Sequence, residues 1–262
     1  MTRNAKANDS RQIALAFDGE ATRYREAYEV PLPAAEMRAA THRLYARYLK
    51  QGDRILDLNC GPGPDFEFFR MLGGVISGVD LSPEMLKIAQ TRAPHAVLHC
   101  LDFNEMDKIG GTFEAICSNF GGLNTQSVFG EFASKCHEKL VPGGFFLCNI
   151  MTPFPLPEIL EGIWGRRHWL RRIRQPDHGI VKVGGSHLKV HYFWPGKFYR
   201  QFFKPYFDLV EIQGLGVFLP PPYLAQKKES LPGWSLFLEK CLAHRFPFKY
   251  WGDHTMLVMR GK

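Results

Sequence analysis

Between residues 34 and 151, short apolar runs alternate with longer stretches of helical periodicity, and this alternation is the strongest constraint on the fold. DRILDLN (53–59), VISGVD (75–80), AVLHCLD (96–102), FEAICSNF (113–120) and FFLCNIM (145–151) are strand-like. They are too short and too uniformly apolar for strands with one wet face, so they read as buried strands. AAEMRAATHRLYARYLKQG, the segment after GPGPDF, LSPEMLKIAQTRAP and SVFGEFASKCHEKL lie before or between them as helices. Ser82 as N-cap with Pro83 at the first helical position is a strong start signal. A strand–helix rhythm of this kind requires a mostly parallel sheet with helices on both faces, an α/β fold of the Rossmann-like class.

The rhythm breaks after Met151. TPFPLPEIL, an arginine- and tryptophan-rich stretch and HGIVKVGGSHLKVHYF intervene, the last predicting a hairpin around Gly184-Gly185. We read 152–195 as a cap inserted after the fifth strand of a single domain, 1–262. Residues 1–50 then form N-terminal helices partly covering the site, and 51–151 the binding core. Residues 196–262 complete the core and carry a lid loop with Pro220, Pro221 and Pro222.

The six cysteines show no C-x-x-C spacing, and several sit in strand-like runs, which predicts buried free thiols and a cytoplasmic protein. The apolar runs are too short for a membrane span. Of the formal charge of +7, five arginines fall in RRHWLRRIR (166–174), leaving +2 elsewhere. That distribution argues against a broad nucleic-acid surface and for one local basic patch. The patch reads as a solvated helix face, as a grip on an anionic group of a substrate, or as a contact for RNA or an acidic membrane. No His, Cys and Asp spacing suggests a metal site.

ILDLNCGPGPDF delivers Asp57 at the end of a strand and then turns on Gly61 and Gly63. A dinucleotide fingerprint would have a third glycine at 66, where this chain has Phe66, whose ring should obstruct a pyrophosphate. A carboxylate at Asp57 repels phosphate and attracts an ammonium group. Asp80 and Asp102 end the next two strands; one can accept from ribose hydroxyls, the other from an adenine amino group. The set suits a nucleoside carrying an amino acid. Singly, each acid also reads as a helix cap or an exposed strand end, and Asn119 as part of a turn before Gly121-Gly122.

ILDLNCGPG, VISGVDLSPEML, HCLDF, FEAICSNFG and LVPGGFFLC, in this order, resemble the class I S-adenosylmethionine-dependent methyltransferases of the small-molecule type. The resemblance covers about residues 40 to 150 and the final strands. It implies a seven-stranded sheet, transfer of a methyl group from S-adenosylmethionine, and S-adenosylhomocysteine as product. By the same resemblance Asp57, Gly61 and Gly63 hold the methionine end, and Asp80, with Leu81 and Met85 just beyond it, the ribose side. Asp102 with Phe103 takes the adenine, and Asn119 and Phe120 line the floor near the methyl group. AFDGEATRYREAY resembles a segment that closes over the cofactor, with Tyr24 as its aromatic residue; packing of that helix on the core is the alternative. Asn59 stands where the family usually has glycine. It is either a substitute that tolerates φ > 0 or a sign of weakened cofactor binding. SNFG is not of the N-P-P-Y type expected for methylation of a base amine or an amide.

The cap is rich in Phe, Trp and Pro, which suggests a closed apolar pocket for a lipophilic or aromatic small-molecule acceptor. Trp169, Arg174, Tyr192 and Phe218 are candidate acceptor contacts, Arg174 for an anionic group. In SHLKVHYF, alternation puts His187, Lys189 and His191 on one face. If that face lines the pocket, His187 or His191 is a candidate general base; if it faces solvent, neither has a role. Sulfonium chemistry needs alignment more than a base, so a methyltransferase can lack one. An RNA- or protein-directed methyltransferase using the basic segment, and a non-catalytic cofactor-binding scaffold, are the competing readings.

Overall fold

The structure is a computed structural model that describes residues 3–127, 129–163, 171–222 and 230–262, with side chains described from residue 10 and, in the third segment, from 172. Strands β1 (Arg54–Leu58), β2 (Val75–Asp80), β3 (Val97–Cys100), β4 (Phe113–Ser118) and β5 (Leu140–Met151) are followed by a hairpin, β6 (His178–Val183) and β7 (Ser186–His191). Strands β8 (Phe207–Leu215) and β9 (His254–Gly261) close the chain. Seven strands form one sheet in the order β3-β2-β1-β4-β5-β9-β8. The pairs from β3 to β5 are parallel, and β9 runs antiparallel to both β5 and β8. The strand order reverses between β1 and β4, and the crevice at their carboxyl ends is where such a sheet binds ligands.

Helices α1 (Arg3–Glu20) and α2 (Leu32–Tyr45) precede the sheet, and α3 (Phe66–Met71), α4 (Pro83–Arg92) and α5 (Phe132–Lys139) connect its strands. Ser82 Oγ accepts from the Met85 N–H at 3.1 Å, the cap expected from Ser82-Pro83. One apolar core packs Met37, Leu44, Phe66, Phe69 and Ala89 against one face of the sheet. The other packs Phe129, Phe132, Phe146, Phe198, Phe203 and Phe207 against the opposite face. The continuous apolar strands of the sequence are explained by this double cover. VPGG lies within β5; Gly143 has φ +74° and the register against β4 shifts there.

Between β5 and β8 the chain forms α6 (Leu156–Ile163), α7 (Arg171–Arg174), the β6–β7 hairpin and the short helix α8 (Pro195–Phe198). Helix α9 (Gly233–Leu242) precedes β9. The hairpin docks on α1: Ala16, Val183 and Leu188 form a small buried cluster, and Gly184 N–H donates to Glu20 Oε2 at 2.8 Å. Gly184 has φ +52°, and a Cβ there would lie 1.9 Å from the Ala16 carbonyl oxygen. Gly184→Ala is therefore expected to detach the hairpin from α1, lowering stability by about 1–3 kcal/mol and speeding proteolytic cleavage within 178–191. Cleavage at the wild-type rate would show that the α1 contact does not hold the hairpin.

Candidate active site

Asp57, Asp80 and Asp102 stand along the carboxyl edge of three neighbouring strands, as the register of β1, β2 and β3 requires. Asp57 is buried and accepts no hydrogen bond among the described residues. Burial, with Asp65 and Asp80 nearby, pushes its carboxyl well above the usual range, and only Arg38 opposes the shift. Such a group gains most from an incoming cation. Asp80 accepts from Gly61 N–H at 2.8 Å and Ser82 N–H at 2.9 Å, which ties the glycine turn to the end of β2. Burial raises its carboxyl to about 6 despite those donors. Asp102 accepts from Asn104 N–H at 2.9 Å and from the Ser10 hydroxyl of α1 at 2.8 Å.

The glycine turn keeps the geometry that the sequence placed in question. Asn59 has φ +58°, the left-handed region that a glycine would supply. Its amide donates to Ser118 Oγ at 3.3 Å, and a Cβ on Gly122 would come within 2.5 Å of it. The extra side chain at 59 is thus accommodated by the missing one at 122. Phe66 does not stand in the ligand's path. Its ring is fully buried beneath the turn, and Cβ atoms on Gly63 and Gly78 would meet it at 2.6 and 2.8 Å. The obstruction expected of it is therefore corrected: the ring lies under Gly63. Tyr24 lies over the turn, with its ring 3.9 Å from where a Gly61 Cβ would be.

Beneath the turn lies a polar network that the sequence reading passed over. Asp65 is buried and accepts from Arg38 Nη1 at 2.6 Å, His42 Nε2 at 2.7 Å and Asn119 Nδ2 at 2.8 Å. Burial alone would raise its carboxyl; Arg38 and His42 hold it below the usual range. Asn119 Oδ1 accepts from Tyr45 at 2.7 Å and Asn149 at 3.2 Å, and Asn149 Oδ1 accepts from Phe120 N–H at 2.6 Å. Asn119 is therefore a junction of helix and sheet rather than a free amide. Phe120 has φ +49°, and Arg38 Cζ sits 4.4 Å from its ring centroid. The signal that was available was Asp65 in the quoted GPGPDF and an arginine and histidine one turn apart in α2.

The remaining candidates divide. Phe103 packs edge-on against Phe132 within the core, and Met85 is buried at the start of α4; Leu81 is half-buried beside it. His187 is exposed next to Lys189, while Leu188 and Val190 face inward, so the polar face of the hairpin looks to solvent. That removes the premise for His187 as a base. His191 is half-buried, and burial and Lys189 lower the basicity of its ring. Tyr192 is half-buried under the Arg172 guanidinium, 5.1 Å from its ring centroid, and Phe218 packs against Phe248. Arg174 is exposed. Trp169 and most of the basic segment lie outside the described residues. Arg172 of that segment points inward: it donates to Asp253 Oδ1 at 2.7 Å, and its Nε is 3.2 Å from Glu158 Oε1. Between α2, α6 and the proline loop, Pro33, Met37, Pro155 and Pro220 line a narrow cleft with Glu158 and Asp253 in its wall.

A reversed parallel sheet with an acid on each of three strand ends and a left-handed glycine turn defines a nucleoside-binding α/β domain. Residues 55–144 match the family of the methyltransferase domain. A dTDP-3-amino-3,4,6-trideoxy-alpha-D-glucopyranose N,N-dimethyltransferase of Streptomyces venezuelae is 30% identical over 58% of this chain and 66% of its own length. A dTDP-4-amino-2,3,4,6-tetradeoxy-D-glucose N,N-dimethyltransferase of Saccharopolyspora spinosa is 26% identical over 55% of this chain and 59% of its own. The chain thus spans about three-fifths to two-thirds of the length of these curated relatives. In fold it is similar to the Burkholderia thailandensis 1,6-didemethyltoxoflavin-N1-methyltransferase solved with S-adenosylhomocysteine. That likeness has a TM-score of 0.59 at 17% identity and covers all of this chain and 91% of the other. Over residues 55–144 and in the topology of its sheet, the chain is thus similar to S-adenosylmethionine-dependent methyltransferases.

Three variants test the turn and Asp80. Gly122→Ala should destabilise the protein by about 1–3 kcal/mol, and adding Asn59→Gly should restore most of the loss in chemical denaturation. Additive losses would mean that the two positions do not share space. Asp80 has a folded pKa above its unfolded value of about 3.9, so its contribution to stability is full below about pH 4. That contribution is lost as the pH rises through about 6, a difference of roughly 3 kcal/mol. Asp80→Asn should abolish this part of the pH dependence and weaken S-adenosylhomocysteine at least tenfold in calorimetry.

Proposed function

We propose that this chain transfers the methyl group of S-adenosylmethionine to an amine on a small, largely apolar acceptor. The observation that carries the acceptor class is the cleft of Pro33, Met37, Pro155 and Pro220 with Glu158 and Asp253 in its wall. Its sides suit a lipophilic body, and Glu158 and Asp253, bridged by Arg172, supply polar groups in its wall. The aminosugar relatives support the same reading, since their substrates are named as amino sugars.

The residues present fit the cofactor. Asp57 is a desolvated carboxyl awaiting a cation, and Arg38 Nε is a buried donor without a partner. Together they suit the ammonium and carboxylate of an amino-acid tail. Asp80 would hold the ribose hydroxyls and Asp102 the adenine amino group, with the Ser10 hydroxyl giving up its place. Gly61 and Gly63 would line the tail, with Tyr24 closing over it. The cofactor supplies a methyl group made electrophilic by a cationic sulfur. The protein's part is alignment and exclusion of water, each worth several kcal/mol when geometry is held.

Arg38→Gln should weaken S-adenosylhomocysteine at least tenfold, about 1.4 kcal/mol, measured by calorimetry. Incubation with methyl-labelled S-adenosylmethionine and nucleotide-linked sugars, with and without an amine, should label the amines alone. Label entering only RNA or protein would overturn the acceptor assignment.

A further inference from the structure

Among the described residues, two buried side-chain nitrogens lack a hydrogen-bond partner, Arg38 Nε and His254 Nδ1. Both belong to residues that touch one ring. Arg38 lies over Phe120, and His254 meets Phe120 edge-on with ring centroids 5.7 Å apart. His254 opens β9 opposite Met151, at the carboxyl edge of the parallel strands, on the side of the sheet that holds α2. It is buried, and its neighbour Asp253 lines the acceptor cleft. His254 thus touches the ring at the end of β4 and directly follows a residue of the cleft wall.

Asp253 is held from two sides. Arg172 Nη2 donates to its Oδ1 at 2.7 Å and Nη1 to its carbonyl oxygen at 3.1 Å, while Thr152 N–H donates to the same carbonyl at 3.3 Å. Its Oδ2 is 2.8 Å from His254 Nδ1, close enough for an ion pair but out of hydrogen-bond alignment. A small rotation of either side chain completes the bond. With Nδ1–H fixed on the carboxylate, the lone pair of His254 is on Nε2, which has no partner among the described residues. The charged groups around the ring are Asp253 at its own strand, Arg172 from α7, Glu158 from α6, and Arg38 from α2 across Phe120.

We propose that His254 is the proton acceptor of the reaction and Asp253 its positioning residue, an inference that rests on the methyltransferase reading. The acceptor's N–H bond breaks, and its proton passes to Nε2. The electron pair stays on nitrogen and forms the new bond to the methyl carbon, while the carbon–sulfur pair returns to sulfur. The imidazolium then releases the proton to water.

The first test needs no acceptor. Long-range proton–nitrogen NMR of the full-length, nitrogen-15-labelled protein reports the His254 tautomer, assigned by loss of its signal in His254→Gln. With S-adenosylhomocysteine bound, we expect Nδ1–H in the wild type and a shift toward Nε2–H in Asp253→Asn. An Nε2–H tautomer in the wild type overturns the proposal, whether or not Asp253→Asn folds. In single turnovers with a labelled amino sugar, His254→Gln should lose at least 100-fold in rate and bind S-adenosylhomocysteine within twofold of wild type. Wild-type turnover also overturns it. Failure of the wild type to bind S-adenosylhomocysteine would instead sink the methyltransferase reading.

Discussion

The carboxylate of Asp65 is the interaction on which the site depends. A buried acid at the foot of a glycine turn is untenable without partners, and this one draws three donors from two elements: Arg38 and His42 from α2, and Asn119 from the end of β4. Removing one partner of such a group typically costs about 3–5 kcal/mol, because the remaining charge stays buried. The same bonds fix α2 against the loop, aim Asn119 at Asn149, and through Asn149 fix the strained backbone of Phe120. The network stabilises the fold less than it specifies one arrangement of helix, turn and sheet.

The Phe120 ring is contacted from two sides. Arg38 covers its ring from the side of Asp57 and Asp65, where an amino-acid tail would lie. His254 approaches its edge from the side of Asp253, Glu158 and the proline cleft. The proposed cofactor and acceptor ends would therefore share one aromatic wall. Helix α1 makes a second link, since it bonds Asp102 through Ser10 and carries the β6–β7 hairpin through Glu20 and Gly184. Cofactor bound at Asp102, as proposed, would displace the Ser10 hydroxyl of the helix that supports the hairpin.

Much of this was legible from the chain alone. The strand–helix rhythm gave β1 to β4 nearly to the residue, Ser82-Pro83 gave the start of α4, and Gly184-Gly185 gave the hairpin. These features are local: periodicity, capping and turn chemistry act within a few residues. The acids at the strand ends were legible for the same reason, because a parallel sheet sends the ends of its strands to one edge. Arg172 illustrates the opposite case. In sequence it is one of five arginines in a basic run; in the fold its guanidinium is held between Glu158 and Asp253, which come from 14 residues before it and 81 after it.

The sequence by itself determined the class of fold, the glycine turn and the row of carboxylates, since each follows from spacing along the chain. Only the tertiary structure decided that Phe66 lies under the turn, that Asn59 is matched by Gly122, and that His187 faces solvent while His254 is buried against Phe120. Those outcomes depend on which distant side chains share a volume and which face of a hairpin meets water. Packing sets both, and no local pattern encodes them.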